Sequence, residues 1–157
     1  MFIGLNIALL VVFFDQISKY VMLNKVLGEH IMIYVAPFFN LVRAWNTGVS
    51  FSMFNNYGNL GAWVLSGLAI IIVGFLIYWL KSEENRVAQI ALGMIIGGAI
   101  GNVIDRVRLG AVFDFLDFHI GENHWPAFNV ADSFICIGAA VLIAQNLIVY
   151  FKQKKGK

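Results

Sequence analysis

Four long apolar stretches constrain this chain more than any other feature of its sequence. They cover residues 2–23, 62–80, 87–104 and 130–151, and a helix needs about 20 mostly apolar residues to cross a membrane. Only 13% of the residues are charged, about half of the roughly 25% that is typical of a soluble domain. The sequence therefore predicts an all-α membrane protein with four transmembrane helices, folded as a single domain over residues 1–157.

The distribution of lysine and arginine predicts how this four-helix unit lies in the membrane. An even number of crossings places both termini and the loop at residues 81–86 on the same side. That loop and the last six residues hold six Lys/Arg in 12 residues, whereas the two other loops hold four in 63. Because cytoplasmic loops are enriched in positive residues, both termini are predicted to be cytoplasmic. In a bacterium, the long loops would then face outward from the cytoplasmic (inner) membrane.

The same parity predicts that polar residues scattered along the sequence converge at one membrane face. Helices 1 and 3 end at this face, helix 4 begins there, and the two long loops lie beyond it. The polar residues concerned are Asp15, Asn46, Asn102, Asp105, Asp114 and Asp132, of which Asn46 and Asp114 are placed in loops. Ionisable groups cost about 2.5–3.5 kcal/mol at the bilayer centre and mark functional sites by default. Interfacial salt bridges that only fix helix depth are the structural alternative.

Two further patterns predict how the helices pack and what covers them. Gly93, Gly97 and Gly101 form a small-xxx-small stripe on helix 3, which lets another backbone approach closely. Between helices 1 and 2, apolar and β-branched residues flank a break at Ala36-Pro37, which predicts two short strands and a turn. These strands are expected to form a short extracytoplasmic β-sheet, with an apolar cap over the helices as the alternative.

Five aspartates on the polar face are candidates for acid-base chemistry, namely Asp15, Asp105, Asp114, Asp117 and Asp132. Two adjacent carboxyl groups share a proton, so that one activates water while the other donates to a carbonyl oxygen. Such a pair hydrolyses an amide without a metal or a covalent intermediate. Asp114 and Asp132 have no basic residue nearby in the sequence, which weakly favours them as partners of each other.

Two of the other candidates have basic neighbours in the sequence. Asp15 lies four residues before Lys19, which is the favourable spacing for an ion pair on a helix. Asp105 is adjacent to Arg106, which favours a salt bridge or a role at a helix end. A structural role is therefore the simpler interpretation of both aspartates.

Other catalytic chemistries find less support in the sequence. His119 and His124 flank Glu122, but a spacing of five does not place both on one helix face, and no HExxH pattern occurs. No metal site and no cofactor are therefore expected. No serine lies in a GxSxG elbow, and Cys136 is predicted to be buried in helix 4 and inert. The basic residues form no stripe, which argues against nucleic-acid binding.

Five sequence motifs, in order along the chain, resemble the signature of the lipoprotein signal peptidases, also called signal peptidase II. They are DQISK at residues 15–19, NTGVSF at 46–51, GGAIGNVIDR at 97–106, VFDF at 112–115 and FNVADS at 128–133. The resemblance covers nearly the whole chain, including its length and four-helix layout. One such motif would be weak, but all of them in order are specific.

The resemblance implies an aspartic endopeptidase, a hydrolase that removes the signal peptide of bacterial prolipoproteins before a cysteine carrying diacylglycerol. The family's catalytic dyad falls on Asp114 and Asp132. The family's supporting polar positions fall on Asp15, Asn46, Asn102, Arg106 and Asn129, and Lys19, Gly48 and Asp105 are added from the same motifs. The segment between helices 1 and 2 resembles the family's cradle, which lies on the membrane surface and holds substrate.

The resemblance also implies the partners of the protein. They are a lipid-modified prolipoprotein as substrate, membrane lipid, and the peptide antibiotic globomycin as an inhibitor, and the protein is expected to act as a monomer. Two departures from the family are the additional carboxylate of Asp117 and the bulk of Phe113 where smaller aliphatic residues are usual.

A small membrane transporter or proton-relay protein is the alternative function, and a purely structural membrane subunit is a third. The clustering of polar residues at one face argues against a transport path across the membrane.

Overall fold

The structure, a computed structural model, describes residues 1–48 and 60–155 and has four long helices within them. They are α1 (Phe2–Val21), α2 (Leu60–Ser82), α3 (Arg86–Leu109) and α4 (Val130–Lys155), and a π-helical segment at Met22–Val26 prolongs α1. All four are long and apolar enough to cross a membrane. The predicted four-helix layout is therefore confirmed.

Helix α3 extends further than predicted, and its extension carries two candidate residues. The apolar run alone predicts an earlier end, but the helix continues to Leu109, so Asp105 and Arg106 lie inside it and not in the following loop. Asn85 caps the start of α3 by accepting two backbone N–H groups at 2.8 and 3.2 Å. Gly110 ends the helix in the left-handed conformation, at φ 78°. The chain therefore reverses direction directly after the polar end of α3.

Glycines on α3 let neighbouring helices approach its backbone, as their spacing predicts. A Cβ atom at Gly97 would lie 2.6 Å from the carbonyl oxygen of Ala8 in α1. A Cβ atom at Gly98 would lie 2.5 Å from the carbonyl oxygen of Ala131 in α4. Since α2 also packs on α3, through an apolar contact, α3 is the central helix of the bundle.

Substituting Gly97 by alanine is expected to destabilise the bundle, because the added methyl group would meet backbone atoms of α1 that cannot rotate away. Overpacking of this kind costs about 1–3 kcal/mol. The matched control is Gly67→Ala in α2, where no described atom lies within 4 Å of the Cβ position. At that position, alanine is expected to stabilise the helix by up to about 1 kcal/mol relative to glycine. Thermal unfolding in detergent compares the two variants, and equal midpoints would contradict the close packing.

A four-stranded antiparallel sheet lies where α1 and α3 end and α4 begins. In the spatial order β1-β2-β3-β4, its strands are Met32–Ala36, Phe39–Asn46, Val112–Ile120 and Asn123–His124. The first two strands form the hairpin predicted between helices 1 and 2, with its turn at Pro37. The sheet is larger than predicted, because β3 and β4 come from the segment between α3 and α4.

Asp114 lies between α3 and α4 as predicted, on β3, a strand that the sequence did not predict. The run from Val112 to Phe115 is entirely buried, so the strand lacks the alternation of apolar and polar residues that marks a half-exposed strand. Phe113 and Phe115 pack against Leu27, which directly follows the end of the π-helical segment. This packing fixes the backbone of Asp114 against the end of the helix bundle.

The prediction that Cys136 is buried in helix 4 is wrong. Cys136 is exposed on the helix and not buried, and the adjacent Ile137 is exposed as well. Apolar neighbours indicate burial in a water-soluble protein, but on a membrane-spanning helix they also occupy the surface that faces lipid.

Candidate active site

Polar side chains from three helices and the sheet meet in one cluster at the end of the bundle. Its buried members are Asp15, Lys19, Asn102, Asp105, Asp114 and Asn129, and the half-buried Asp132 joins them through hydrogen bonds. The helix ends that supply these residues are those that parity places at one membrane face. The structure therefore brings together residues that are far apart in the sequence.

Asn129 begins α4 and holds Asp132 in a reciprocal cap. The Oδ1 atom of Asn129 accepts a hydrogen bond from the backbone N–H of Asp132 at 3.0 Å. The carboxylate of Asp132 accepts one from the backbone N–H of Asn129 at 3.3 Å. This is the capping-box arrangement, in which two residues at a helix start satisfy each other's free N–H groups. The bonds that begin the helix therefore also orient the Asp132 carboxylate.

The side-chain amide of Asn129 also connects Asp132 to Asp114. Its Nδ2 atom donates to Asp114 Oδ1 at 2.7 Å and to Asn102 Oδ1 at 3.2 Å. Asn102 in turn donates from Nδ2 to Asp132 Oδ1 at 2.7 Å. Two asparagines thus bridge two aspartates, one on a strand and the other in the first turn of a helix.

The surroundings of Asp114 raise the pKa of its carboxyl group from 3.8 to about 6. Burial is the larger cause, since Asp114 is only 2% exposed, and the nearby negative charge of Asp132 adds to it. Hydrogen bonds from the side chains of Asn46 and Asn129 lower the pKa but do not cancel the shift. A carboxyl group with a raised pKa beside a second carboxylate can hold the proton that the pair shares.

The raised pKa of Asp114 predicts a loss of stability as the pH rises. Because the folded protein binds this proton more tightly than the unfolded chain does, the stabilising contribution is complete below pH 3.8 and is lost as the pH rises through about 6. At about 1.4 kcal/mol per pKa unit, the contribution is at most about 3 kcal/mol. We expect Asp114→Asn to flatten this part of the curve of unfolding midpoint against pH in detergent. An unchanged slope in the variant would contradict the raised pKa.

Lys19 is a buried cation with two carboxylate partners. Its Nζ atom lies 2.9 Å from Asp15 Oδ2 and 2.9 Å from Asp105 Oδ2, and it donates to Asn102 Oδ1 at 3.1 Å. The predicted ion pair between Asp15 and Lys19 is confirmed. Within the described part of the chain, Asp105 pairs with this lysine of α1 and not with the adjacent Arg106. Lys19 therefore joins α1 to two residues of α3.

Arg106, Asn46 and Gly48 border the cluster from the sides of α3 and β2. The positive charge of Arg106 acts on both bridged aspartates. Asn46 Oδ1 accepts a hydrogen bond from the backbone N–H of Gly48 at 2.8 Å, and Gly48 has a left-handed backbone at φ 79°. The motif that contains Asn46 and Gly48 continues through residues 49–51, which lie outside the described residues.

Known proteins are similar in sequence to this chain over most of its length. Residues 7–148 match the family model described as Signal peptidase (SPase) II. The lipoprotein signal peptidase of Aeromonas hydrophila is 42% identical over 96% of this chain and 89% of its own. The lipoprotein signal peptidase of Paraburkholderia phymatum is 44% identical over 91% of this chain and 86% of its own. The chain belongs to the signal peptidase II family.

Two solved structures, both described as bacterial membrane enzymes, share the fold of this signal peptidase II. Each superposes with a TM-score of 0.75, at 31% and 32% identity. They cover 98% and 92% of this chain and 90% and 92% of their own. Together with four helices of membrane-spanning length, these similarities make the chain a multi-pass membrane protein and a peptidase.

Sequence reasoning missed one polar residue of the signal peptidase cluster, Gln16. Its Nε2 atom donates to Asp105 Oδ1 at 3.0 Å, to Asp15 Oδ2 at 3.2 Å and to the carbonyl oxygen of Gly101 at 3.3 Å. Gln16 carries no charge and so gave no signal of its own. Its place inside the DQISK motif, next to Asp15, was the only indication in the sequence.

Asp117, the extra carboxylate of this signal peptidase, belongs to a separate polar group on the sheet. Asn40 donates to Asp117 Oδ2 at 2.9 Å, and His124 Nδ1 lies 2.8 Å from Asp117 Oδ1. Burial raises the pKa of Asp117, but these hydrogen bonds outweigh it and hold the pKa below its ordinary value. Among the described residues, no group of three or more His, Cys, Asp or Glu could hold a metal ion. Asp117 therefore has its own partners and does not join Asp114.

Proposed function

We propose that this signal peptidase II is an aspartic endopeptidase that removes the signal peptide of diacylglyceryl-modified prolipoproteins. The cut falls directly before the lipidated cysteine, and Asp114 and Asp132 form the catalytic dyad. The observation that carries the proposal is the bridge that Asn129 makes between these two aspartates, together with the raised pKa of Asp114. The names of the relatives, lipoprotein signal peptidases, support the substrate class.

In the proposed reaction, the two aspartates share one proton and activate a water molecule. The ionised carboxylate takes a proton from the water, whose oxygen attacks the carbonyl carbon of the scissile peptide bond. The protonated carboxyl group donates its proton to the carbonyl oxygen, which gives a tetrahedral diol. The C–N bond then breaks while the aspartate that took the water proton donates it to the leaving nitrogen. A diol hydroxyl gives its proton to the other aspartate, so the dyad again holds one shared proton. The products are the carboxylic acid of the signal peptide, which ionises in water, and the amino group of the lipidated cysteine.

The proposed supporting roles follow from the contacts around the dyad. Asn102 and Asn129 orient the carboxyl groups by direct hydrogen bonds. Arg106 places a cation close to both carboxyl groups, where it can also stabilise negative charge that develops on the carbonyl oxygen. Asn46 and Gly48, at the end of β2, are the proposed contacts with the substrate backbone. The ion-paired residues of α1 and α3 support the dyad from the helix side.

The proposed site lies at the outer interface of the bacterial inner membrane. The charge distribution of the loops supports a topology with both termini in the cytoplasm and the sheet outside. The exposed aromatic residues Tyr34, Phe38 and Trp125 on the sheet suit the depth of lipid headgroups. A membrane-embedded substrate with a lipidated cysteine at this interface would present its scissile bond at the depth of the dyad. Globomycin is the proposed inhibitor of the same site, and the enzyme is proposed to act as a monomer.

Cleavage of a diacylglyceryl-modified preprotein by the purified protein in detergent tests the proposal. Mass spectrometry of both products is expected to place the cut on the N-terminal side of the modified cysteine, at the same rate with and without a chelator. The same preprotein without the diacylglyceryl group is the matched control and is expected to be cut far more slowly. Cleavage that a chelator abolishes would overturn the aspartic mechanism. Absence of cleavage, combined with proton flux in vesicles, would favour the transporter.

A further inference from the structure

The strand that carries Asp114 is tied to α3 at the residue directly before that aspartate. The backbone N–H of Phe113 donates to Asp105 Oδ2 at 3.1 Å. Phe113 is fully buried, so its N–H group has no access to water and depends on this acceptor. The carboxylate of Asp105 therefore holds the backbone of β3 in place at the residue before Asp114.

The helix that carries Asp132 is tied to α1 in the same way. The backbone N–H of Ala131 donates to Asp15 Oδ1 at 2.9 Å, and both residues are fully buried. An N–H group in the first turn of a helix has no partner within that helix, so Asp15 satisfies it from outside. Gly101 gives this carboxylate its space, because a Cβ atom there would lie 2.5 Å from Asp15 Oδ2.

One cation holds both of these carboxylates. Lys19 Nζ lies 2.9 Å from Asp15 and 2.9 Å from Asp105, and its remaining bond goes to Asn102 Oδ1 at 3.1 Å. A lysine ammonium group has three donors, and these three contacts use all of them. Gln16 touches the same two carboxylates from its Nε2 atom, but an amide cannot neutralise their charge.

We propose that Lys19 is a positioning residue that sets the separation of the two dyad aspartates, acting through Asp15 on α4 and through Asp105 on β3. This inference rests on the proposed function for its catalytic meaning. Each carboxylate grips the backbone one residue before a dyad aspartate, and the ammonium group fixes the two carboxylates relative to each other. The geometry of the active site is thus set at one buried point on α1.

Removal of Lys19 is expected to loosen both connections together. Two buried carboxylates without a counter-ion are costly, so each gains a proton or turns towards water. A protonated or displaced carboxyl group is a poorer acceptor for the N–H group that it held. Both dyad aspartates then move with their backbones, and a displacement of about 1 Å at a reacting group can cost about 100-fold in rate.

The kinetic test compares Lys19→Met with Lys25→Met, which removes an exposed lysine from the π-helical segment. Lys19→Met is expected to lower kcat about 100-fold and to leave KM within about twofold, because the three donors of Lys19 are used by Asp15, Asp105 and Asn102. Lys25→Met is expected to match the wild type. A raised KM with an unchanged kcat in Lys19→Met would overturn the proposal, since it would place Lys19 in substrate binding.

The structural test is residue-resolved amide exchange in detergent, which needs no activity. Asp105→Ala is expected to speed exchange at Phe113 alone, and Asp15→Ala at Ala131 alone. Lys19→Met is expected to speed exchange at both amides. If both amides stay as protected in Lys19→Met as in the wild type, the proposal is overturned. If Lys19→Met does not fold, Lys19→Gln, which also removes the charge, takes its place with the same outcomes.

The two tests separate this inference from the proposed function. A wild-type protein that does not cut the lipidated preprotein contradicts the function, while the exchange pattern still tests the link between Lys19 and the two backbones. A wild-type protein that cuts normally, with a Lys19 variant that slows kcat but leaves both amides protected, contradicts the positioning role alone.

Discussion

Replacing either Asp114 or Asp132 by asparagine is expected to lower kcat for cleavage of the lipidated preprotein by at least about 1,000-fold. General acid-base catalysis by one positioned group contributes about 100- to 10,000-fold, and the two groups act as a unit. Asparagine has the shape of aspartate, and its oxygen can still accept the 2.7 Å bond from Asn129 at position 114 or from Asn102 at position 132. Asp132→Asn gives up only the longer bond from the backbone N–H of Asn129, at 3.3 Å. Because asparagine cannot exchange a proton with water or with the carbonyl oxygen, the loss of rate falls on the chemical step.

Steady-state kinetics in detergent measures this effect, with the unfolding midpoint of each variant as a check on its structure. The matched control is Glu122→Gln, which removes an exposed carboxylate from the turn between β3 and β4 and is expected to leave kcat unchanged. The Asp114→Asn, Asp132→Asn double variant is expected to be no slower than the worse single variant. A single variant that keeps more than about a tenth of the wild-type kcat would remove that aspartate from the dyad.

Replacing Asn129 by alanine is expected to lower both activity and stability. The variant loses the cap on α4 and leaves the buried Asp114 carboxyl group without its closest donor, at 2.7 Å in the wild type. Loss of a helix cap costs about 1 kcal/mol, and a buried group without a partner costs about 1–3 kcal/mol more. We expect a loss of about 2–4 kcal/mol in unfolding free energy and a fall in kcat of about 100-fold or more.

Two variants distinguish the role of Asn129 as the cap of α4 from its role as the bridge between the two aspartates. Asn85→Ala removes the cap of α3 at the opposite end of the bundle, and it is expected to cost about 1 kcal/mol without a change in kcat. Asn129→Asp keeps the acceptor for the Asp132 N–H group but loses the donor to Asp114, so it is expected to be as inactive as Asn129→Ala. If Asn129→Asp retained wild-type kcat, the bridge would have no role in catalysis.

The helices and the position of the polar cluster were predictable from the sequence for simple physical reasons. A membrane-spanning helix is specified by local composition, and the number of crossings fixes which helix ends meet. The ion pair between Asp15 and Lys19 is also local, because it lies within one turn of a helix. The hairpin of β1 and β2 shows itself through its β-branched residues and the break at Pro37.

The third strand and the pairing partners were not predictable, because they depend on the packed structure. Val112 to Phe115 is covered on both sides, and a short buried apolar run looks the same in a loop, a helix or a strand. Asp105 has a cation next to it in sequence, yet its partner is Lys19 on another helix. Only the folded bundle reveals that choice.

The choice of Asp114 and Asp132 depended on sequence motifs more than on their neighbours in the sequence. The residues alone left five aspartates, and the motif resemblance selected Asp114 and Asp132. In the structure, Asp15 and Asp105 share a lysine, and Asp117 has His124 and Asn40 as partners.

The glycine stripe on α3 fixes the distance between the crossing of α1 and α3 and the layer of polar groups. Asn102 lies five residues after Gly97, which is about 7.5 Å along a helix axis. Because backbone touches backbone at Gly97, that height cannot be altered by side-chain motion. The layer of polar groups therefore keeps a constant distance from the crossing of α1 and α3, so a thicker or thinner bilayer shifts the whole bundle without altering that spacing.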